Sequence, residues 1–154
     1  MPGVFVHGSN DYFEPRLRNP FRYVLPDDGT RHTDVPQLPW RDLSATFTEH
    51  GWLDLTNTRG RLQGGGLDLA FVGVDDPHLE YDDLAAVAGP ADPAADVRLA
   101  VAHAPYLRVR DQFAADGHDA ILAGHTHGGQ VCLPGGRALT TNSDLDPARA
   151  RGLH

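Results

Sequence analysis

The stretch Asp119-Ala120-Ile121-Leu122-Ala123-Gly124-His125-Thr126-His127-Gly128-Gly129-Gln130 constrains what this chain can fold into more than any other. Its short apolar run predicts a buried strand, which breaks at once into a polar loop holding two histidines one residue apart with glycines on both sides. In an extended segment residues i and i+2 face the same side, so His125 and His127 are expected to present two imidazoles to one centre or to two adjacent ones. The glycines suit such a loop, because a backbone without Cβ passes close to a ligand. Upstream, Val97-Arg98-Leu99-Ala100-Val101-Ala102 predicts another strand, and it delivers His103-Ala104-Pro105 at its end. Between the two, Tyr106 to Asp116 predicts a helix with Leu107, Val109 and Phe113 as its apolar positions. Strand, helix, strand is the pattern of a crossover between parallel strands, which sets His103 and His125 at the same sheet edge.

The remainder of the chain supplies a third strand end. Val4 to Val6 predicts a buried strand of the same sheet ending at Gly8, so that Ser9, Asn10 and Asp11 follow its carboxyl end. From Glu14 to Pro39, prolines at 15, 20, 26 and 36 and the turn Asp27-Asp28-Gly29 predict a long, irregular covering loop. Trp40, Leu43 and Phe47 recur at helix spacing over Trp40 to His50, with Gly51 placed to end that helix. Trp52 to Asn57 predicts a partly exposed strand that turns back, past Gly60 and Gly64-Gly65-Gly66, into a buried strand over Leu67 to Val74. The triple glycine is read as a hairpin tip, since no lysine-serine/threonine pair or helix start follows it as a phosphate loop requires. Asp75 and Asp76 form an acidic turn at a strand end, Asp82 to Ala88 a short helix, Gln130 to Thr140 a hairpin, and everything from Asn142 a loose polar tail. His118 reads as a residue of a surface turn.

At 154 residues the chain is one ordinary domain by length. Its formal net charge of -8 argues against a nucleic-acid or anionic-membrane surface, both of which need a basic patch. A phosphate-bearing small molecule would then require local positive charge, which metal ions provide. No apolar run approaches the length of a membrane span, and the start lacks the basic and apolar regions of a signal peptide, which predicts a cytoplasmic protein. Cys132 stands alone, excludes an internal disulfide, and is expected as a small buried apolar residue. Imidazole nitrogens with a few oxygen donors suit zinc, manganese or iron better than calcium or magnesium.

Three segments together, Gly3-Val4-Phe5-Val6-His7-Gly8-Ser9-Asn10-Asp11-Tyr12, Val101-Ala102-His103-Ala104-Pro105 and Gly124-His125-Thr126-His127-Gly128-Gly129-Gln130, carry a resemblance. They resemble, in order and in placement at strand ends, the carboxyl-terminal half of the calcineurin-like metallophosphoesterases. The motifs of that family run D-x-H, G-D-x-x-D, G-N-H-D/E, a histidine after a strand, and G-H-x-H. The resemblance implies an α/β fold: a partial metallophosphoesterase β-sandwich flanked by helices, with its amino-terminal strands missing, forming a single truncated domain over 1–154. It also implies a dinuclear centre of divalent manganese, zinc or iron, with His103 and His125 as ligands of one ion and His127 of the other. An ungapped reading sets Ser9 at the motif asparagine, itself a ligand, and Asn10 at the motif histidine. Asn10 is the preferred ligand because an amide oxygen is the better donor, with Ser9 the alternative. The motif histidine is thereby absent, and His7 is the nearby candidate to replace it. No residue is assigned as a catalytic acid or base.

The activity implied is metal-dependent hydrolysis of a phosphate ester, monoester or diester, on a small-molecule substrate. The alternative is a non-catalytic remnant binding one metal through Asn10, His103 and His125. A cupin-like barrel with a mononuclear His-x-His site conflicts with the helices predicted at Trp40 to His50 and Tyr106 to Asp116. Because neither D-x-H nor G-D-x-x-D precedes Gly8, a strand among Val4 to Val6, Leu69 to Val74 and Ile121 to Ala123 is expected to lack a pairing partner. The chain is then expected to self-associate through unpaired strand edges.

Overall fold

The computed structural model describes residues 3–15, 33–129 and 131–154. Pro20, Pro26, the Asp27-Asp28-Gly29 turn and Gln130 lie outside the described residues. The fold is α/β. A four-stranded sheet has the order β3-β4-β5-β6, with β3 at Thr58–Gly64, β4 at Leu67–Gly73, β5 at Val97–Ala102 and β6 at Ala120–Ala123. The first pair is antiparallel and the other two are parallel. Two small sheets accompany it: β1 (Val4–Phe5) parallel to β2 (Leu53–Asp54), and β7 (Val131–Cys132) antiparallel to β8 (Ala138–Thr140).

The helices are α1 (Ser9–Tyr12), α2 (Trp40–Glu49), α3 (Leu84–Val87) and α4 (Leu107–Ala115). The crossover β5–α4–β6 forms where the apolar pattern predicts it. Along β4 and β5 alternate residues face one side, so Val72, Ala100 and Ala102 meet Val87 of α3 and Val109 and Phe113 of α4, with Val74 just beyond β4 completing the set. Phe113 is fully buried there, and Leu84, Tyr106 and Ile121 close its margin. No helix among the described residues is long and apolar enough to cross a membrane.

Several boundaries differ from the sequence expectation, for local reasons. The partner of the buried strand β4 is Thr58–Gly64, not Trp52 to Asn57, and Gly65 and Gly66 make the two-residue hairpin turn with φ of 62° and 81°. The polar run Thr-Arg-Gly-Arg-Leu-Gln-Gly hides this strand because it is an edge: Arg61 pairs with Asp68 and Asp92, and Arg59 donates to the carbonyls of Val87, Gly89 and Pro90. Leu53 and Leu55 lie across the sheet at two of its glycines, Gly60 and Gly73. A Cβ on Gly60 would overlap Leu53, and one on Gly73 would stand 2.5 Å from the Leu55 Cβ.

The strand at Val4–Phe5 is shorter than expected and belongs to the separate β1-β2 sheet, so the three strand ends do not share one sheet. Its residues join an aromatic cluster in which Phe5 meets Phe47, and Tyr12 meets Trp40 and Tyr81. The predicted face of α2 is the one turned inward, through Trp40, Leu43 and Phe47, and Gly51 follows its end at φ 81°. β4 is paired on both sides, so it is not the strand without a partner, whereas β6 has β5 alone as its neighbour among the described residues.

The segment after Asn142 is not a loose tail. Thr141, Leu145 and Ala150 are buried, Asp144 accepts a hydrogen bond from the Leu107 N–H, and a 3-10 turn spans Pro147–Arg149. Cys132, expected to be buried, is exposed on β7, because that hairpin leans on the glycine loop rather than on the main core.

Candidate metal centre

The register Ala102↔Ala123 ends β5 and β6 side by side, so the residues that follow them leave the sheet together. The Gly124 N–H donates to the His103 carbonyl at 3.0 Å, and the side chains then meet. His125 Nδ1 lies 3.2 Å from His103 Nε2, with the rings edge to face at 5.1 Å between centroids. Gly8, the N-cap of α1, closes the other side of His103: a Cβ there would stand 2.6 Å from Nε2 and closer still to Cε1 and Nδ1. Only a glycine lets the third segment approach, although it arrives from a different sheet.

The loop after β6 is not extended. His125 and His127 have φ of 66° and 52°, and Gly128 and Gly129 are also left-handed. Such dihedrals on side-chain-bearing residues cost on the order of 1 kcal/mol each and persist where surrounding contacts impose them. Those contacts come from Thr126, which is buried between the histidines and donates its hydroxyl to the Ala150 carbonyl at 2.7 Å. The expected alternation therefore fails: His125 is half-buried beside His103, while His127 is exposed. His127 still lies within electrostatic reach, since its charge disfavours protonation of both other rings.

Asn10 sits on the exposed side of α1, and its side chain makes no hydrogen bond to either histidine among the described residues. The half-buried Ser9 precedes it on the same turn. His7 is no substitute for the absent motif histidine. It is 2% exposed, its Nε2 is 2.7 Å from the Ser44 hydroxyl, and the rings of Phe5, Tyr12 and Trp40 surround it. An aromatic cage of that kind makes it a core residue.

Two groups beside the pair carry no motif signal. His78 stacks obliquely on His125 at 4.8 Å, and its Nδ1 lies 3.0 Å from the Tyr106 hydroxyl. Asn142 reaches His125 Nε2 from the opposite side, with its carbonyl at 3.2 Å and its amide nitrogen at 3.3 Å. A recess of about 340 Å³ adjoins this cluster through Tyr106, lined also by Pro77, Glu80, Asp82 and Arg108. Arg108 is held in it by both oxygens of Asp82.

Burial dominates the electrostatics. It pushes the His125 imidazole down to about 3, with repulsion from His78 and His103 adding, and it lowers His103 as well. Both rings are therefore neutral at pH 7. Asp75 and Asp76, at the carboxyl end of β4, are raised by burial, Asp76 to about 6. Asp75 accepts the Tyr12 hydroxyl at 2.7 Å and the Asp76 N–H, and Asp76 accepts the His78 N–H at 2.8 Å. Asp76 Oδ2 is buried without a hydrogen-bond partner among the described residues.

A neutral imidazole nitrogen is what a borderline ion such as zinc binds, and two ligands about 2.0–2.1 Å from a tetrahedral ion stand roughly 3.3 Å apart. The 3.2 Å between His103 Nε2 and His125 Nδ1 fits that spacing. The pair supplies two such donors. Among the described residues no group of three or more His, Cys, Asp or Glu side chains is gathered to hold a metal ion.

No family model matches the chain, and no solved structure matches it significantly. It is similar to the uncharacterized protein YpbG of Bacillus subtilis (strain 168), with 30% identity over 132 residues. The match takes in 85% of this chain and 40% of YpbG, so the chain spans well under half the length of that relative.

Proposed function

We propose that this chain carries part of a metal-dependent phosphate-ester hydrolase of the calcineurin-like type, with the β5 and β6 ends as one half of its metal centre. The observation that carries the reading is the 3.2 Å approach of His103 Nε2 to His125 Nδ1, made by two strands whose sequence motifs resemble that family. On this reading the α/β fold is a partial metallophosphoesterase sandwich, and His103 and His125 would hold one divalent manganese, zinc or iron ion. Asn10 and His127, both exposed, would add donors when the ion is present. Bound there, the ion would supply Lewis acidity toward a phosphoryl oxygen and toward water.

The chain's own contribution is positional. Gly8 lets the α1 turn close on His103, Thr126 holds the histidine loop in its left-handed shape, and burial keeps both ligating rings neutral. The recess beside Tyr106 is where the alcohol part of the ester would lie, next to His78 and His125. The second reading, a non-catalytic chain that binds a single ion, is favoured by the convergence of two histidines rather than four ligands.

Titration with manganese and zinc, followed by assay of bis(p-nitrophenyl) phosphate with manganese added, tests both. His125→Ala should abolish metal binding and His118→Ala should leave it intact, because His118 is spent on the Phe113 carbonyl at 3.0 Å, outside the cluster. Equal losses from the two variants reject the ligand assignment. Metal binding by the wild type without turnover selects the second reading.

A further inference from the structure

We infer that Asn142 is a positioning residue for His125, setting its proton on Nε2 so that Nδ1 presents a lone pair toward His103. The inference rests on the metal reading for its purpose but on the hydrogen bonds alone for its content. A main-chain carbonyl has no hydrogen to give, so the 3.2 Å contact between His125 Nε2 and the Asn142 carbonyl is a bond donated by Nε2–H. A neutral imidazole carries one proton, which leaves Nδ1 as an acceptor, and the nitrogen facing it is His103 Nε2 at 3.2 Å. His103 therefore donates from Nε2, and its one proton would move to Nδ1 for Nε2 to ligate an ion.

The side chain of Asn142 reinforces the same choice. Its amide lies 3.3 Å from His125 Nε2, and a half-turn of that amide brings Oδ1 there as a second acceptor for the one proton. The residue is held for the task. It has φ 53°, a left-handed conformation that asparagine, aspartate and glycine tolerate better than other residues. On its flanks Thr141 donates its hydroxyl to the Leu145 carbonyl at 2.9 Å, and the Asp144 carboxylate accepts from the start of α4. This is the arrangement by which metal-ligating histidines are commonly oriented, one ring nitrogen donating to an oxygen while the other is kept free for the ion.

The opposite arrangement is distinct in its consequences. Were the Asn142 amide the donor, Nε2 would carry the lone pair, and Nδ1–H would point at His103 and occupy the metal-facing side.

Long-range 15N–1H correlation spectra of the metal-free protein at pH 7 separate the two, since His125 is neutral there. The expected pattern is protonated Nε2 and unprotonated Nδ1; the reverse pattern overturns the inference whatever metal does. Two variants extend the test without disturbing φ. Asn142→Asp supplies an acceptor that cannot donate, so it should keep the Nε2–H tautomer and hold or tighten cobalt(II) affinity. Asn142→Gly keeps the main-chain carbonyl, loses the second acceptor, and should weaken cobalt(II) binding by up to about tenfold. An aspartate variant with a protonated Nδ1 rejects the role of Asn142. If no variant nor the wild type binds cobalt(II), the metal reading fails, and the tautomer still decides the role of Asn142.

Discussion

Adding a single methyl group at Gly8 is the sharpest test of how the three segments meet. The backbone there is extended, with φ -124° and ψ 172°, so alanine fits the dihedrals and sterics alone decide the outcome. The new Cβ would stand 2.6 Å from His103 Nε2, against an ordinary contact of about 3.5 Å, so the imidazole must retreat by about 1 Å. Retreat along the line to Gly8 moves it relative to His125, and the 3.2 Å hydrogen bond between the rings cannot survive a displacement of that size. Overpacking of this kind costs about 1–3 kcal/mol. Gly8→Ala is therefore expected to lower the denaturant midpoint accordingly, shift the His103 and His125 ring signals, and abolish cobalt(II) binding. Urea melts with the same nitrogen-correlated spectra read all three. Wild-type stability with unchanged imidazole signals would show that the α1 turn does not press on His103, and would refute the account of Gly8.

Phe113→Ala, which empties the centre of the main core, should cost about 3–5 kcal/mol in urea unfolding, and a loss under 1 kcal/mol would show that α4 is not the lid of the sheet. The raised carboxyl of Asp76 contributes stability that is present below its ordinary pKa of 3.8 and is lost as pH rises through about 6. His125, lowered from 6.5 to about 3, contributes in the opposite sense, with stability present above 6.5 and lost as pH falls toward 3. Asp76→Asn should therefore leave the protein more stable than wild type above pH 6 and steepen its loss of stability on acidification; parallel melting curves against pH for the two proteins would reject the burial of that charge. Leu122, 54% exposed on the edge strand β6, is expected to drive self-association, so Leu122→Glu should shift sedimentation toward the monomer, and an already monomeric wild type would dispose of the edge argument.

The meeting of His103 and His125 in the candidate site was legible from spacing alone, because the signals involved are local. An apolar run that breaks into Gly-His-Thr-His, a second that breaks into His-Ala-Pro, and a 3-4 pattern between them are together sufficient to predict β5, α4 and β6, and the parallel register then brings His103 and His125 together. The same locality misled at β3, whose residues are polar because the strand lies at an edge and satisfies its arginines with carboxylates and carbonyls from distant turns. It misled also at His127, where an expected extended loop is bent left-handed by the Thr126 bond to Ala150, and at His7, whose place in a motif says nothing of the aromatic rings that enclose it.

The sequence by itself determined that β5, α4 and β6 form and the order in which they deliver His103, His125 and His127, since hydrophobic periodicity and turn residues act within a few positions of the chain. The tertiary structure alone decided which of those histidines face one another and what orients them. His78 enters from the turn after β4, Gly8 from a separate sheet, and Asn142 from a segment whose polar composition predicts no order at all. Hydrogen bonds between residues 17 or 22 positions apart leave no periodic trace, because they depend on where the packed core of β4, β5, α3 and α4 holds the strand ends, and on the buried Thr141, Leu145 and Ala150 that draw the last segment back over them.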